Sequence, residues 1–133
     1  HCPPVASEYE TLRELNLQPT SNPTAVRFYS AFNKGPYTLE TNAIAEAVAG
    51  GLVNPVDFDA LTKRIYDDGY RIFIEVGARS NCSKWIERSL KSQDFCATSV
   101  NQAEVADETC LMKVIARLIS HGKKVTLPVV MED

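Results

Sequence analysis

Arg71–Val76 constrains this chain more than any other stretch. Its centre, Ile72-Phe73-Ile74, is apolar at successive positions, so both faces of a strand there need cover, the pattern of a buried parallel strand. Parallel neighbours are joined by crossovers of about a dozen residues or more, usually helical. The sequence supplies such crossovers. Ala25–Phe32 is β-branched and aromatic, and the Asn33-Lys34-Gly35-Pro36 turn closes it as a strand. Phe95–Val100 and Val125–Val130 are two further strands. Between them fall segments of helical period. Thr41 or Asn42 caps Ala43–Ala49, which stops at Gly50-Gly51. Asn54-Pro55 introduces a helix carrying Phe58, Leu61, Ile65 and Tyr66, and Gly69 ends it. Cys82–Leu90 carries Trp85, Ile86 and Leu90. Ala106–Ser120 sets Leu111, Ile115, Leu118 and Ile119 on one side before Gly122. A short amphipathic helix, Ser7–Leu15, precedes all of these. The expected fold class is α/β, a mostly parallel sheet with flanking helices and strands near 25–32, 71–76, 95–100 and 125–130.

A length of 133 residues suits one domain with a modest core. The net charge is −3 and the 14 basic residues are scattered, so there is no basic stripe for a phosphate backbone and nucleic acid is not an expected partner. No apolar run approaches the roughly 18 residues of a membrane span, and no signal peptide is recognisable. The four cysteines (2, 82, 96 and 110) form no Cys-x-x-Cys pair and have two histidines for company, which disfavours zinc. Reduced thiols and a cytoplasmic location are expected.

Three residue types invite a chemical reading. His1 is the histidine best placed to act on something, although a terminal histidine is also an ordinary mobile surface group. His121, at the end of a helix, is explained by the favourable interaction of a basic group with the helix dipole. Glu75 ends the apolar strand just before Gly77, where ligands bind in parallel sheets. The simpler reading has its carboxylate accepting amides from the Gly77–Asn81 turn. Gly-x-Gly-x-x-Gly, Walker A and Gly-x-Ser-x-Gly motifs are absent. Cys2 adjoins His1, but neighbours in an extended segment point to opposite sides.

Four blocks stand in register. They are His1-Cys2 with its proline turn and acidic helix, Glu40-Thr41-Asn42, Leu52-Val53-Asn54-Pro55-Val56-Asp57-Phe58, and Phe73-Ile74-Glu75-Val76-Gly77. Together they resemble the C-terminal part of the malonyl/acyl-CoA:acyl carrier protein transacylase family. Phe32–Tyr37 and Ala78–Trp85 are most similar to the acyltransferase subunit of bacterial polyunsaturated fatty acid synthases. The likeness is close over residues 1 to about 100 and looser over 101–133.

The resemblance implies that the chain is the C-terminal fragment of an acyltransferase domain, within its α/β-hydrolase-like large subdomain. The preceding ferredoxin-like subdomain, the serine elbow, the oxyanion loop and the malonyl-selecting arginine would lie upstream. His1 falls on the catalytic histidine, the base for an acyl-serine mechanism. Substrates would be acyl-CoA and the phosphopantetheine of an acyl carrier protein, with no bound cofactor or metal. Partners would be the upstream part of the same domain, the carrier protein and other synthase subunits. A main-chain carbonyl orients the histidine in this family, and its position, commonly glutamine, is Gly51 here. Glycine's freedom puts the rigidity of that segment in question. Asn54 and Pro55 would hold its shape, and Glu75 and Gly77 would support the neighbouring strand end. The family's Gly-Pro-x-x-x-Leu-Thr is replaced by Gly77-Ala78-Arg79-Ser80-Asn81-Cys82-Ser83. On this reading the chain alone is inactive. The alternative is a non-catalytic structural or docking domain of a fatty acid or polyketide megasynthase.

Overall fold

The computed structural model describes residues 3–21 and 26–126. His1 and Cys2, the first residue of the expected strand 25–32, and 127–130 of the expected last strand lie outside the described residues. The chain divides into two compact units, His1–Gly69 and Tyr70–Asp133.

In the first unit a 3-10 turn, Pro3–Glu8, leads into helix α1 (Tyr9–Leu15), which packs on helix α2 (Thr41–Val53). Strands β1 (Phe28–Ser30) and β2 (Gly35–Tyr37) pair antiparallel with Phe28 opposite Tyr37 and Ser30 opposite Gly35. This corrects the expectation that the first strand joins a parallel sheet. The chain reverses within Ala31–Lys34, too short for a crossover, so the returning segment can pair only antiparallel. Lys34 takes the left-handed conformation the turn needs, with φ 53°. Pro36, which has no amide to donate, is accommodated in a two-stranded ribbon where every position is an edge. Helix α3 (Phe58–Asp67) packs on this hairpin. The Tyr29 hydroxyl donates to Asp68 Oδ2 at 2.7 Å, and Lys34 Nζ lies 3.2 Å from Asp57 Oδ2. Asp57 also caps α3, accepting from the Ala60 amide at 3.0 Å. That amide and the Lys34 ammonium hold its carboxyl below the ordinary range.

Helix α2 differs from expectation at both ends. It begins at Thr41, whose hydroxyl donates to the Gln18 carbonyl and does not cap the helix. It also runs through Gly50-Gly51 to Val53. Its buried positions are Ala45, Ala47, Ala49, Gly50 and Val53, small residues that leave little side chain between the helix and its neighbours.

The second unit is a βαβα run: β3 (Ile72–Glu75), α4 (Asn81–Ser89), β4 (Cys96–Ser99) and α5 (Asp107–Ser120). Strands β3 and β4 are parallel, Ile72 opposite Cys96 and Glu75 opposite Ser99, with helices α4 and α5 packed on β4. Strand β4 is buried at every residue, whereas β3 is half-buried, Ile74 being 42% exposed, and Val76, just past its end, is 82% exposed. Among the described residues β3 has one partner strand, so its apolar centre is covered less fully than its composition implies. Helix α5 turns Cys110 and Val114 inward and leaves Leu111 and Ile119 exposed, so its core face lies beside the one expected. Gly122, at φ 72°, ends α5 as its amide donates to Ile119, and the Lys123 amide donates to Leu118.

Leu90, 2% exposed at the end of α4, and Leu111, 51% exposed, offer a direct test of this packing. In urea unfolding, Leu90→Ala should lose about 2–5 kcal/mol and Leu111→Ala about 0.5 or less. Equal losses would contradict the placement of the core.

Candidate active site

The C-terminal turn of α2 carries three of the residues singled out from the sequence. Asn54 leaves the helix in an extended conformation, φ −108° and ψ 157°, the region favoured before proline. Its amide donates to the Gly50 carbonyl at 3.0 Å and its side-chain Nδ2 to the same oxygen at 3.1 Å. Gly50 is thereby satisfied twice. Gly51 is not served in the same way, because the residue four positions on is Pro55, which has no N–H. Its carbonyl therefore sits in the last turn of a helix, at the negative end of the dipole, with no i+4 amide to take it. Such an oxygen suits an imidazole N–H. His1 itself lies outside the described residues.

The two glycines also differ in their surroundings. A β-carbon on Gly51 would meet nothing within 4 Å, whereas one on Gly50 would fall 2.5 Å from the Phe32 ring. Gly51 lies inside α2, and the Asn54 bonds fix the carbonyl of its neighbour Gly50. Sequence reasoning missed Phe32, because its position in the hairpin turn gives no hint that its ring reaches α2.

Glu75, in the second unit, accepts from the Cys82 amide at 3.1 Å and from the amide and hydroxyl of Ser83, both at 2.8 Å. These are orphan donors of the first turn of α4, so one carboxylate satisfies the helix start and ties it to the end of β3. Burial opposes ionisation, but the Ser83 and Cys82 bonds outweigh it and hold the carboxyl below its usual range. The Cys82 thiol is pushed up by burial and by that carboxylate.

Between them lies the turn that departs from the resembled pattern. Arg79 has φ 71°, so the left-handed position is occupied by a non-glycine residue and Gly77 does not take it. Asn101 Oδ1 accepts from the Arg79 amide at 2.7 Å, and Ser99 Oγ lies 2.6 Å from the Arg79 carbonyl. A second strand therefore enforces the turn, a role visible in sequence only as the pair Ser99-x-Asn101. His121 closes α5, with Nδ1 at 2.9 Å from the Arg117 carbonyl, a contact in which the imidazole donates.

A polar cleft of about 170 Å³ in the second unit is bordered by Ser80, Ser83, Lys84, Thr98, Ser99 and Arg117, and none of Gly51, Asn54, Pro55, Glu75 and Gly77 lines it. Among the described residues no three His, Cys, Asp or Glu side chains could share a metal ion, and no helix is long and apolar enough to cross a membrane.

No family model matches the sequence, and no curated protein matches it. A solved structure does: the crystal structure of the acyltransferase domain from the second module of the salinomycin polyketide synthase. The TM-score is 0.76 at 16% identity over 96% of this chain and 33% of that one. The chain thus spans about a third of the length of the structure it matches. The class defined is an α/β fold, a parallel sheet with flanking helices, like part of an acyltransferase domain.

Two outcomes test this geometry. Gly51→Ala should stabilise the protein by about 0.5–1 kcal/mol, since alanine gains helix propensity and meets open space. A loss in thermal unfolding would show that the helix does not continue there. Glu75 stabilises the fold as a carboxylate, and its depressed pKa means that this contribution is present above the unfolded pKa and lost as pH falls through the folded one. Glu75→Gln should lower the melting temperature at pH 7 and flatten its fall below about pH 4–5. An unchanged acid profile would contradict the bonding.

Proposed function

We propose that this chain is part of an acyl-CoA:acyl carrier protein acyltransferase of the transacylase type, related to polyketide and polyunsaturated fatty acid synthases, and that it supplies the catalytic base. The observation that carries the reading is the α2 terminus: a main-chain carbonyl left without its i+4 amide by Pro55, beside an Asn54 clamp, at the position where the resembled family orients its histidine. The fold likeness to an acyltransferase domain supports it.

In this reading His1 donates Nδ1–H to the Gly51 carbonyl, which leaves Nε2 unprotonated. Nε2 takes the proton of a serine contributed by the upstream part of the domain as Oγ attacks the acyl-CoA thioester carbonyl. Collapse of the tetrahedral intermediate breaks the C–S bond, and the imidazolium returns the proton to the departing CoA sulfur. The phosphopantetheine thiol of the carrier protein then gives its proton to His1 and attacks the acyl-serine carbonyl; collapse breaks the C–O bond, and the imidazolium returns the proton to the serine Oγ. Glu75 and Gly77 support the fold of the second unit and take no part in proton transfer.

The test is single-turnover loading of the complete parent polypeptide from labelled malonyl-CoA and medium-chain acyl-CoAs. His1→Ala should leave melting temperature and circular dichroism unchanged and slow acyl-enzyme formation on the order of 10²–10⁴-fold. Loading at the wild-type rate would overturn the assignment. Failure of the wild-type parent to load any acyl group would favour a docking domain instead.

A further inference from the structure

We propose that Phe32 and Gly50 form a size-matched pair that positions the last turn of α2, and with it the Gly51 carbonyl. The inference rests on the His1–Gly51 reading above. A β-carbon built on Gly50 would lie 2.5 Å from Phe32 Cδ1 and Cε1 and 2.7 Å from Cγ. Real β-carbons do not approach so closely, so the ring occupies the space any side chain at 50 would need. Cγ is among the clashing atoms and lies on the χ2 axis, so flipping the ring gives no relief. The ring has to swing about χ1, or the turn has to move.

The turn is held. The Phe32 amide donates to the hydroxyl of Ser30, which is buried at the end of β1. Across the contact, Gly50 is buried in α2 and its carbonyl carries both Asn54 bonds. Force on Gly50 is therefore transmitted to Asn54, and through it to the segment that presents the Gly51 carbonyl. A helix-interior glycine is about 1 kcal/mol less favourable than alanine. At position 50 the ring supplies the reason for one, and at position 51 open space supplies none.

The two positions should therefore respond oppositely to the same substitution. In the full parent polypeptide, Gly50→Ala should slow acyl-serine formation about tenfold or more with little change in KM for acyl-CoA, as expected of a misplaced catalytic group. The acid limb of its pH–rate profile should move to lower pH, because the displaced carbonyl no longer stabilises the imidazolium. In thermal unfolding Gly50→Ala should lower the melting temperature, whereas Gly51→Ala, which meets open space, should not. Adding Phe32→Ala to Gly50→Ala should recover most of the rate and restore the profile, a recovery that a merely destabilising substitution would not show. A Gly50→Ala variant with wild-type rate and profile, or a double variant no faster than Gly50→Ala, would overturn the proposal. If Gly50→Ala does not fold, Phe32→Ala alone decides, since loss of the ring should slow acylation and move the profile in a folded protein, and an unchanged profile would refute the pair. Failure of the functional reading is distinguished by a second measurement. If His1→Ala loads normally, the size match remains readable as positive coupling between positions 32 and 50 in a double-mutant cycle of thermal stability.

Discussion

Pro55 removes one amide, and the arrangement of the first unit's candidate site follows from that loss. A helix ends with carbonyls that lack partners, and most are taken by water or by a tightened last turn. Here the chain cannot close on Gly51 by the regular bond. Asn54 is extended ahead of the proline, and its backbone and side-chain N–H groups both turn back to Gly50. One carbonyl is doubly served while its neighbour has no i+4 amide to take it. The same proline starts the approach to α3, whose cap Asp57 is tied to the hairpin turn by Lys34. The hairpin in turn delivers Phe32 to Gly50.

In the second unit the corresponding constraint is the carboxylate of Glu75. Strand β3 ends where the chain must turn into α4, and the first amides of that helix lack intrahelical acceptors. Glu75 takes two of them together with the Ser83 hydroxyl. Ser99, the last residue of the neighbouring strand, and Asn101, just beyond it, hold the intervening turn through Arg79. The turn is rigid through polar bonds and needs neither glycine's freedom nor proline's fixed φ, which is how Ala78-Arg79 can stand where the resembled pattern has proline.

Elements specified by local period were legible in the sequence: α3, α4 and α5 fall where the three- and four-residue spacings put them, and β3 and β4 where the apolar runs do. Three misreadings have physical causes. Gly50-Gly51 is a stop signal by propensity alone, but a contact from a residue eighteen positions away and two bonds from Asn54 outweigh about 1 kcal/mol per glycine. Apolar content does not encode strand direction and so assigns the first strand to the parallel sheet, whereas a four-residue reversal makes it antiparallel. The inward face of α5 was displaced for a related reason: Cys110 and Val114 are poorer hydrophobic markers than Leu111 and Ile119, yet they face β4. For the candidate site, Gly51, Asn54 and Pro55 could be named from sequence, but the ring that presses on their helix could not, since no spacing rule connects a turn residue to it.

A fold likeness at 16% identity carries architecture and not chemistry, so the functional weight rests on what the α2 terminus can do. A histidine acting as base near neutral pH needs a partner that fixes its tautomer without holding the proton too tightly. A carboxylate does the first but stabilises the imidazolium strongly, raising the pKa of the base. A main-chain carbonyl fixes the tautomer with a smaller shift, and its position is set by the backbone, independent of the side chain that follows. On the proposed reading, that independence would let glycine stand where the resembled family commonly has glutamine, and the precision would come from Asn54 and the Phe32 ring.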